Sequence, residues 1–181
     1  MNDTPLPTRL IAPGALFSLP ALLMQHGFGA RVLVVADANT HAAAGNVAME
    51  AMAANSYQPM LLAFKAGAEA SMANALRIVE RAEGMQGLVA VGSGTVNDLT
   101  KYAAHRAGLP YMVVATAASM NGYTSATASL KAEGAKHSYA ATPPKAVLAD
   151  LNVIAAAPPR LAQAGIGDSF CRSTVEADLL L

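Results

Sequence analysis

Apolar and polar positions along the chain fall into two textures, short unbroken apolar runs and longer stretches in which apolar residues recur every three or four positions. The runs are RVLVVAD at 31–37, PMLLAF at 59–64, GLVAVG at 87–92, PYMVVAT at 110–116 and KAVLAD at 145–150. Short apolar runs, several of them valine-rich and bounded by Gly or Pro, predict strands buried on both faces. The stretches between them predict helices over 40–55, 70–83 and 95–107. In the second of these, Met72, Leu76 and Val79 form an apolar stripe opposite Arg77, Glu80 and Arg81. The polar stretch 131–142 reads as a hairpin or a loop. Strand and helix alternate, which predicts an α/β fold, a Rossmann-like parallel sheet with helices on both faces. Ligands of such sheets bind at the carboxyl ends of the strands.

After Pro158-Pro159 no further valine or isoleucine run occurs. Gly165-Ile166-Gly167 predicts a break between a short helix and a second helix starting near Asp168. The organisation expected is therefore an α/β nucleotide-binding domain over 1–160 and, over 161–181, the beginning of an all-helical domain that the chain does not finish. The apolar end ADLLL, which lacks a polar tail, agrees with that expectation.

Composition narrows the function classes. Twelve Lys and Arg balance twelve Asp and Glu, so no basic excess points to nucleic acid or an anionic membrane surface. An AVILMFWYC share of 54% excludes intrinsic disorder. Much of it is alanine at 42–44, 103–104 and 155–157, small side chains that let helices lie close against a sheet. No window approaches the roughly 20 apolar residues of a membrane span, and MNDTPLPTRL lacks the basic and apolar regions of a signal peptide. A cytoplasmic protein is expected. The single cysteine, Cys171, excludes an internal disulfide and reads as a buried small apolar residue.

The most informative stretch is Gly92-Ser93-Gly94-Thr95-Val96-Asn97-Asp98, between a predicted strand and a predicted helix. Glycines allow close backbone approach, and a helix opening near Thr95 presents unpaired N–H groups and a positive dipole end to a diphosphate. The ordinary dinucleotide fingerprint is absent: Asn97 stands at the third glycine, and Thr116 rather than an acid ends the following strand. Asp37 ends an earlier strand and could accept hydrogen bonds from ribose hydroxyls. A second loop carries hydroxyls at Thr116, Ser119, Thr124 and Ser125, suited to phosphate or a nicotinamide amide, or simply to a capped turn. Asp168 reads either as a helix N-cap or as one metal ligand.

Together these loops resemble the iron-dependent alcohol dehydrogenase and dehydroquinate synthase superfamily, and within it the glycerol-1-phosphate dehydrogenases. The resemblance rests on Gly92-Ser93-Gly94-Thr95-x-x-Asp98-x-x-Lys101, Thr116-x-x-Ser119-x-Asn121-Gly122-x-x-Ser125, and Pro144 to Asp150 followed by Gly165-x-Gly167-Asp168. It implies a nucleotide-binding domain followed by a helical domain, with NAD or NADP and a divalent metal in the cleft between them. It implies that Asp37 holds the adenosine ribose, and that Gly92, Ser93, Gly94, Thr95, Asp98, Thr116, Ser119 and Ser125 contact the cofactor. Asn121 and Asp168 would meet the substrate polyol, and Asp168 the metal: zinc first, with nickel or iron as alternatives. Asn121 departs from the aspartate common there, keeping an acceptor but losing the charge.

The implied reaction is hydride transfer between glycerol 1-phosphate, or a similar polyol phosphate, and dihydroxyacetone phosphate, the metal acting as Lewis acid. No protein residue is assigned as catalytic base, and a homo-oligomer is expected by resemblance. The family's other metal ligands, two histidines, would lie beyond residue 181. His26, His41, His105 and His137 do not match them and read as surface or helix-face histidines. Two other readings stay open, a dehydroquinate-synthase-like cyclase and a non-catalytic nucleotide-binding module.

Overall fold

The computed structural model describes residues 6–179. The Met1–Pro5 start and the leucine side chains at 179–181, on which the sequence bears expectations, lie outside the described part. Strands β1 (Thr8–Ala12), β2 (Arg31–Asp37), β3 (Gln58–Phe64), β4 (Gly87–Gly92), β5 (Tyr111–Ala115) and β8 (Ala146–Asp150) form one parallel sheet in the order β1-β8-β5-β4-β2-β3. A two-stranded antiparallel hairpin, β6 (Thr127–Ala132) and β7 (Ala135–Ala140), stands apart, so the polar stretch is a hairpin.

The period of two along each central strand divides the core. Leu33, Val35, Leu88, Ala90, Val113 and Ala149 face α4 (Met72–Arg81) and α5 (Gly94–Ala107) on one side. Val32, Val34, Val89, Val91, Val114 and Leu148 face α1 (Leu19–Gln25) and α3 (Asn46–Ala53) on the other. Both faces are covered, so both parities must be apolar, which is why these strands read as unbroken runs.

Five expectations change. The helix over 40–55 is three pieces, α2 (Ala38–Thr40), a π-helical turn (His41–Gly45) and α3. In α4 Met72 and Val79 pack against the core as expected, but Leu76 is exposed, and the fully buried residues are Ala75 and Ile78. The alanines divide: Ala44, Ala103 and Ala104 are buried beneath helices, while Ala155 and Ala156 are exposed. Cys171 is exposed rather than buried, its thiol donating to the Asp168 carbonyl (2.9 Å).

The largest correction concerns Gly165-Ile166-Gly167, which does not interrupt the last helix. α7 runs unbroken over Pro159–Leu179, so Asp168 lies in its interior and is not an N-cap. Each glycine costs a helix only about 1 kcal/mol against alanine, which tertiary contacts can offset.

Asp150 joins the N-terminal elements to the sheet. It is buried at the end of β8, caps α6 (Leu151–Ala155) through the Asn152 N–H (3.0 Å), and also accepts the N–H groups of Gly14 and Leu16 (both 3.0 Å). Burial acts to raise its pKa, but the N–H donors of Leu16, Asn152, Gly14 and Val153 outweigh it and hold the carboxyl below its ordinary value. A carboxyl depressed on folding stabilises the protein above its unfolded pKa, near about 3.9, and that stability is lost as pH falls through the lower folded value. Asp150→Ala is expected to cost about 2–4 kcal/mol at neutral pH by leaving three N–H groups unpaired. Urea titrations at pH 7 and pH 3 check this, the deficit shrinking at the lower pH.

Candidate functional site

β2 connects outward to β3, and the chain then crosses back to β4 on the opposite side of β2. The crevice between the carboxyl ends of β2 and β4 is therefore the topological switch point, where ligands of open parallel sheets bind. A cleft of about 520 Å³ opens there, lined by Asp37, Thr40, Ser93, Thr116, Pro158 and Arg160 among others. Three residues singled out from separate loops, Asp37, Ser93 and Thr116, thus share one cavity.

Asp37 is positioned by its own helix start. Its Oδ1 accepts the N–H groups of Asn39 and Thr40 (both 2.9 Å), and the Thr40 hydroxyl accepts the Asp37 N–H (3.0 Å). Oδ2 receives no hydrogen bond from the described residues and remains an acceptor at the cleft. Gly92 ends β4 against the first turn of α5, where a Cβ would press on the Val96 side chain (2.6 Å). A Cβ at Gly94 would meet only Met120 Sδ, at 3.8 Å, so the turn is open on the ligand side. Asn97 makes the first helical bond, to the Ser93 carbonyl (2.9 Å). The N–H groups of Gly94, Thr95 and Val96 precede it and have no intrahelical acceptor, a geometry that suits an anion.

The loop after β5 runs alongside α7. The Asn121 N–H donates to Asp168 Oδ2 (2.7 Å), and the Asn121 amide donates to the Asp168 carbonyl (3.1 Å). The asparagine amide supplies a donor that an aspartate could not. Gly165 allows this approach, because a Cβ there would overlap the Ala118 carbonyl. A second cavity of about 540 Å³ lies at the same junction, lined by Met120, Gly165, Ile166 and Phe170 among others. Ser119 is half-buried in this loop and lines neither of the two cavities.

Asp98 and Ser125 point elsewhere. Asp98 accepts the Asn97 amide (3.1 Å) and the Ser129 N–H (3.1 Å), and lies 3.8 Å from Lys101 Nζ. Lys101 is fully buried on α5 and donates to the Gly122 carbonyl (2.8 Å), Ser125 Oγ (2.8 Å) and the Thr127 carbonyl (3.2 Å). Burial raises the Asp98 carboxyl, opposed by the Ser129 N–H and the Lys101 charge, and lowers the Lys101 ammonium, opposed by Asp98. Both groups shift against their charged forms, so desolvation outweighs their attraction and the pair acts chiefly to fix the loop. Tyr123 adds a further tie, its hydroxyl donating to the Ala117 carbonyl (2.7 Å). Sequence reasoning gave Lys101 and Tyr123 no role. The only signal was the Asp98-x-x-Lys101 spacing, which sets both on one helix face.

Asp168 Oδ1 accepts no hydrogen bond from the described residues. Among those residues no group of three or more His, Cys, Asp or Glu is gathered for a metal, so they do not by themselves complete a metal site. His105 and His137 are exposed, and His26 and His41 are half-buried. No helix among the described residues is long and apolar enough to cross a membrane.

The family model of iron-containing alcohol dehydrogenases matches residues 10–158, and the chain belongs to that family. Within it, the chain is 34% identical over 178 residues to the glycerol-1-phosphate dehydrogenase (NAD(P)+) of Thermofilum pendens, covering 97% of this chain and 50% of that protein. The enzyme of the same name from Thermococcus kodakarensis is 35% identical over 154 residues, covering 84% of this chain and 43% of that protein. Among solved structures, an iron-containing alcohol dehydrogenase from Thermococcus thioreducens superposes with a TM-score of 0.79 at 18% identity, over 90% of this chain and 50% of that one. A probable glycerol dehydrogenase from Sinorhizobium meliloti superposes at 0.73 and 29%, over 90% of this chain and 44% of that one. The chain spans half or less of the length of the curated relatives it matches.

Proposed function

We propose that this chain is the nucleotide-binding part of an NAD(P)-dependent dehydrogenase that interconverts glycerol 1-phosphate, or a similar polyol phosphate, and dihydroxyacetone phosphate. One observation carries the reading: the open Gly92–Thr95 turn stands across the switch point from Asp37, and both border one cleft. The names of the relatives support the substrate class. The nicotinamide cofactor, when bound, supplies the hydride chemistry; the chain binds and orients it.

In this reading Asp37 Oδ2 accepts from the adenosine ribose, and the N–H groups of Gly94, Thr95 and Val96 receive the diphosphate. Ser93 and Thr116 offer hydroxyls along the cleft, with Ser119 nearby, while Asp98 and Ser125 act through Lys101 by shaping the loop. Asn121 and Asp168 face the substrate. Asp168 is the candidate metal ligand, with zinc the first choice. Because the described residues offer no complete metal site, we propose that the chain alone binds nucleotide without turnover.

Calorimetry with NADH tests the binding step. Wild-type chain is expected to bind, and Gly94→Trp, which fills the open side of the turn, to bind at least about a hundred-fold more weakly while folding normally. A folded wild-type chain with no NADH affinity defeats the reading. Rapid NAD+ reduction by the isolated chain with glycerol 1-phosphate and zinc would contradict the second step.

A further inference from the structure

A second polar pocket, of about 540 Å³, lies at the carboxyl end of β3 and is lined by Phe64, Lys65, Glu69, Ser71, Asn74 and Arg77 among others. Phe64 is the register partner of Asp37. Register partners in adjacent parallel strands lie about 4.8 Å apart and point to the same face of the sheet, so this pocket adjoins the proposed ribose acceptor.

Its charge is cationic. The Arg77 guanidinium lies over the Phe64 ring, 5.2 Å from its centroid, and one nitrogen donates to Asn74 Oδ1 at 3.4 Å. Its other N–H groups have no partner among the described residues. Lys65 follows Phe64 directly and has no ion-pair partner among them either. Glu69, the acid on the rim, is taken by Lys131 (3.0 Å). The chain is neutral overall, yet here two unpaired cations stand beside the residue expected to hold a ribose.

We infer that Lys65 and Arg77 form a binding site for the 2′-phosphate of NADP, so that the cleft accepts the phosphorylated dinucleotide despite Asp37. This rests on the proposed nucleotide cleft. A ribose held by Asp37 would lie at the β2–β3 edge, beside the pocket that Phe64 borders. Asp37 opposes a phosphate by charge, but two N–H groups already draw on its Oδ1, and two nearby cations offset the rest. The stacked guanidinium has a restricted orientation, which favours fork-like contact with phosphate oxygens.

The test is titration with NADH, NADPH, adenosine 5′-monophosphate and adenosine 2′,5′-bisphosphate, comparing wild type with Lys65→Ala, Arg77→Ala and the double variant. Both side chains are exposed, and circular dichroism verifies folding. The double variant is expected to lose about ten-fold or more in affinity for NADPH and the bisphosphate, with NADH and the monophosphate unchanged within about two-fold. The selective loss should shrink at high salt. Equal weakening of both nucleotides, or wild-type binding of NADH but not NADPH, overturns the inference and leaves the nucleotide cleft standing. Binding of neither nucleotide overturns both.

Discussion

Replacing Lys101 with Met is expected to destabilise the protein by about 3–5 kcal/mol and to weaken NADH binding about ten-fold. The ammonium meets three acceptors with its three N–H groups, two of them main-chain carbonyls at Gly122 and Thr127. Methionine fills the volume but removes the ammonium from both carbonyls, of which the Ser125 hydroxyl (3.0 and 2.9 Å) can serve only one, and leaves the partly buried Asp98 carboxylate without its counter-charge. For a domain of this size the loss corresponds to a fall of roughly 10–15 °C in Tm. Adding Asp98→Asn to Lys101→Met removes the stranded charge and should restore part of the stability. It should not restore NADH affinity, because the segment carrying Asn121 and Ser125 stays unpinned. A double-mutant cycle on Tm, run beside nucleotide titrations, separates the two effects. Full recovery of both would mean that Lys101 serves only to balance Asp98.

How far this network could be read beforehand depends on the distance over which each feature acts. β2, β4, β5 and β8 were legible because strands buried on both faces need unbroken apolar runs. β1 was not: Thr8–Ala12 is a half-buried edge strand, and its position is secured by Lys145 and Asp150, far along the chain. The placement of Asp37 and of the Gly92–Thr95 turn was legible because it is local, an acid at a strand end and glycines at a helix start. The work of Lys101 was hidden, since its acceptors lie on a loop whose path depends on β5 and the hairpin. Leu76 was misjudged because periodicity gives a helix's pitch but not which edge of a broad apolar face meets the sheet.

The two glycines of α7 carry the sharpest contrast, since they share a helix and a residue type and differ in their neighbours. Gly167→Ala is expected to stabilise the protein by about 0.5–1 kcal/mol, because nothing lies within 4 Å of the added Cβ and alanine is the better helix former. Gly165→Ala carries the same propensity gain, yet its Cβ would overlap the Ala118 carbonyl and lie 2.9 Å from the carbonyl carbon and 3.3 Å from Ser119 Cα. Main-chain atoms cannot swing aside as a side chain can, so α7 or the loop must move. One turn further along the helix is Asp168, whose 2.7 Å bond from the Asn121 N–H tolerates little displacement. Gly165→Ala should therefore destabilise the protein by about 1–3 kcal/mol and speed hydrogen exchange at the Asn121 amide. Under the proposed function, which sets Asn121 and Asp168 against the substrate, a full-length dehydrogenase carrying Gly165→Ala should also lose turnover with polyol phosphate by about an order of magnitude or more, since small misplacements of such groups are costly. Equal stabilisation by the two substitutions would mean that the close approach of helix and loop does not exist in solution.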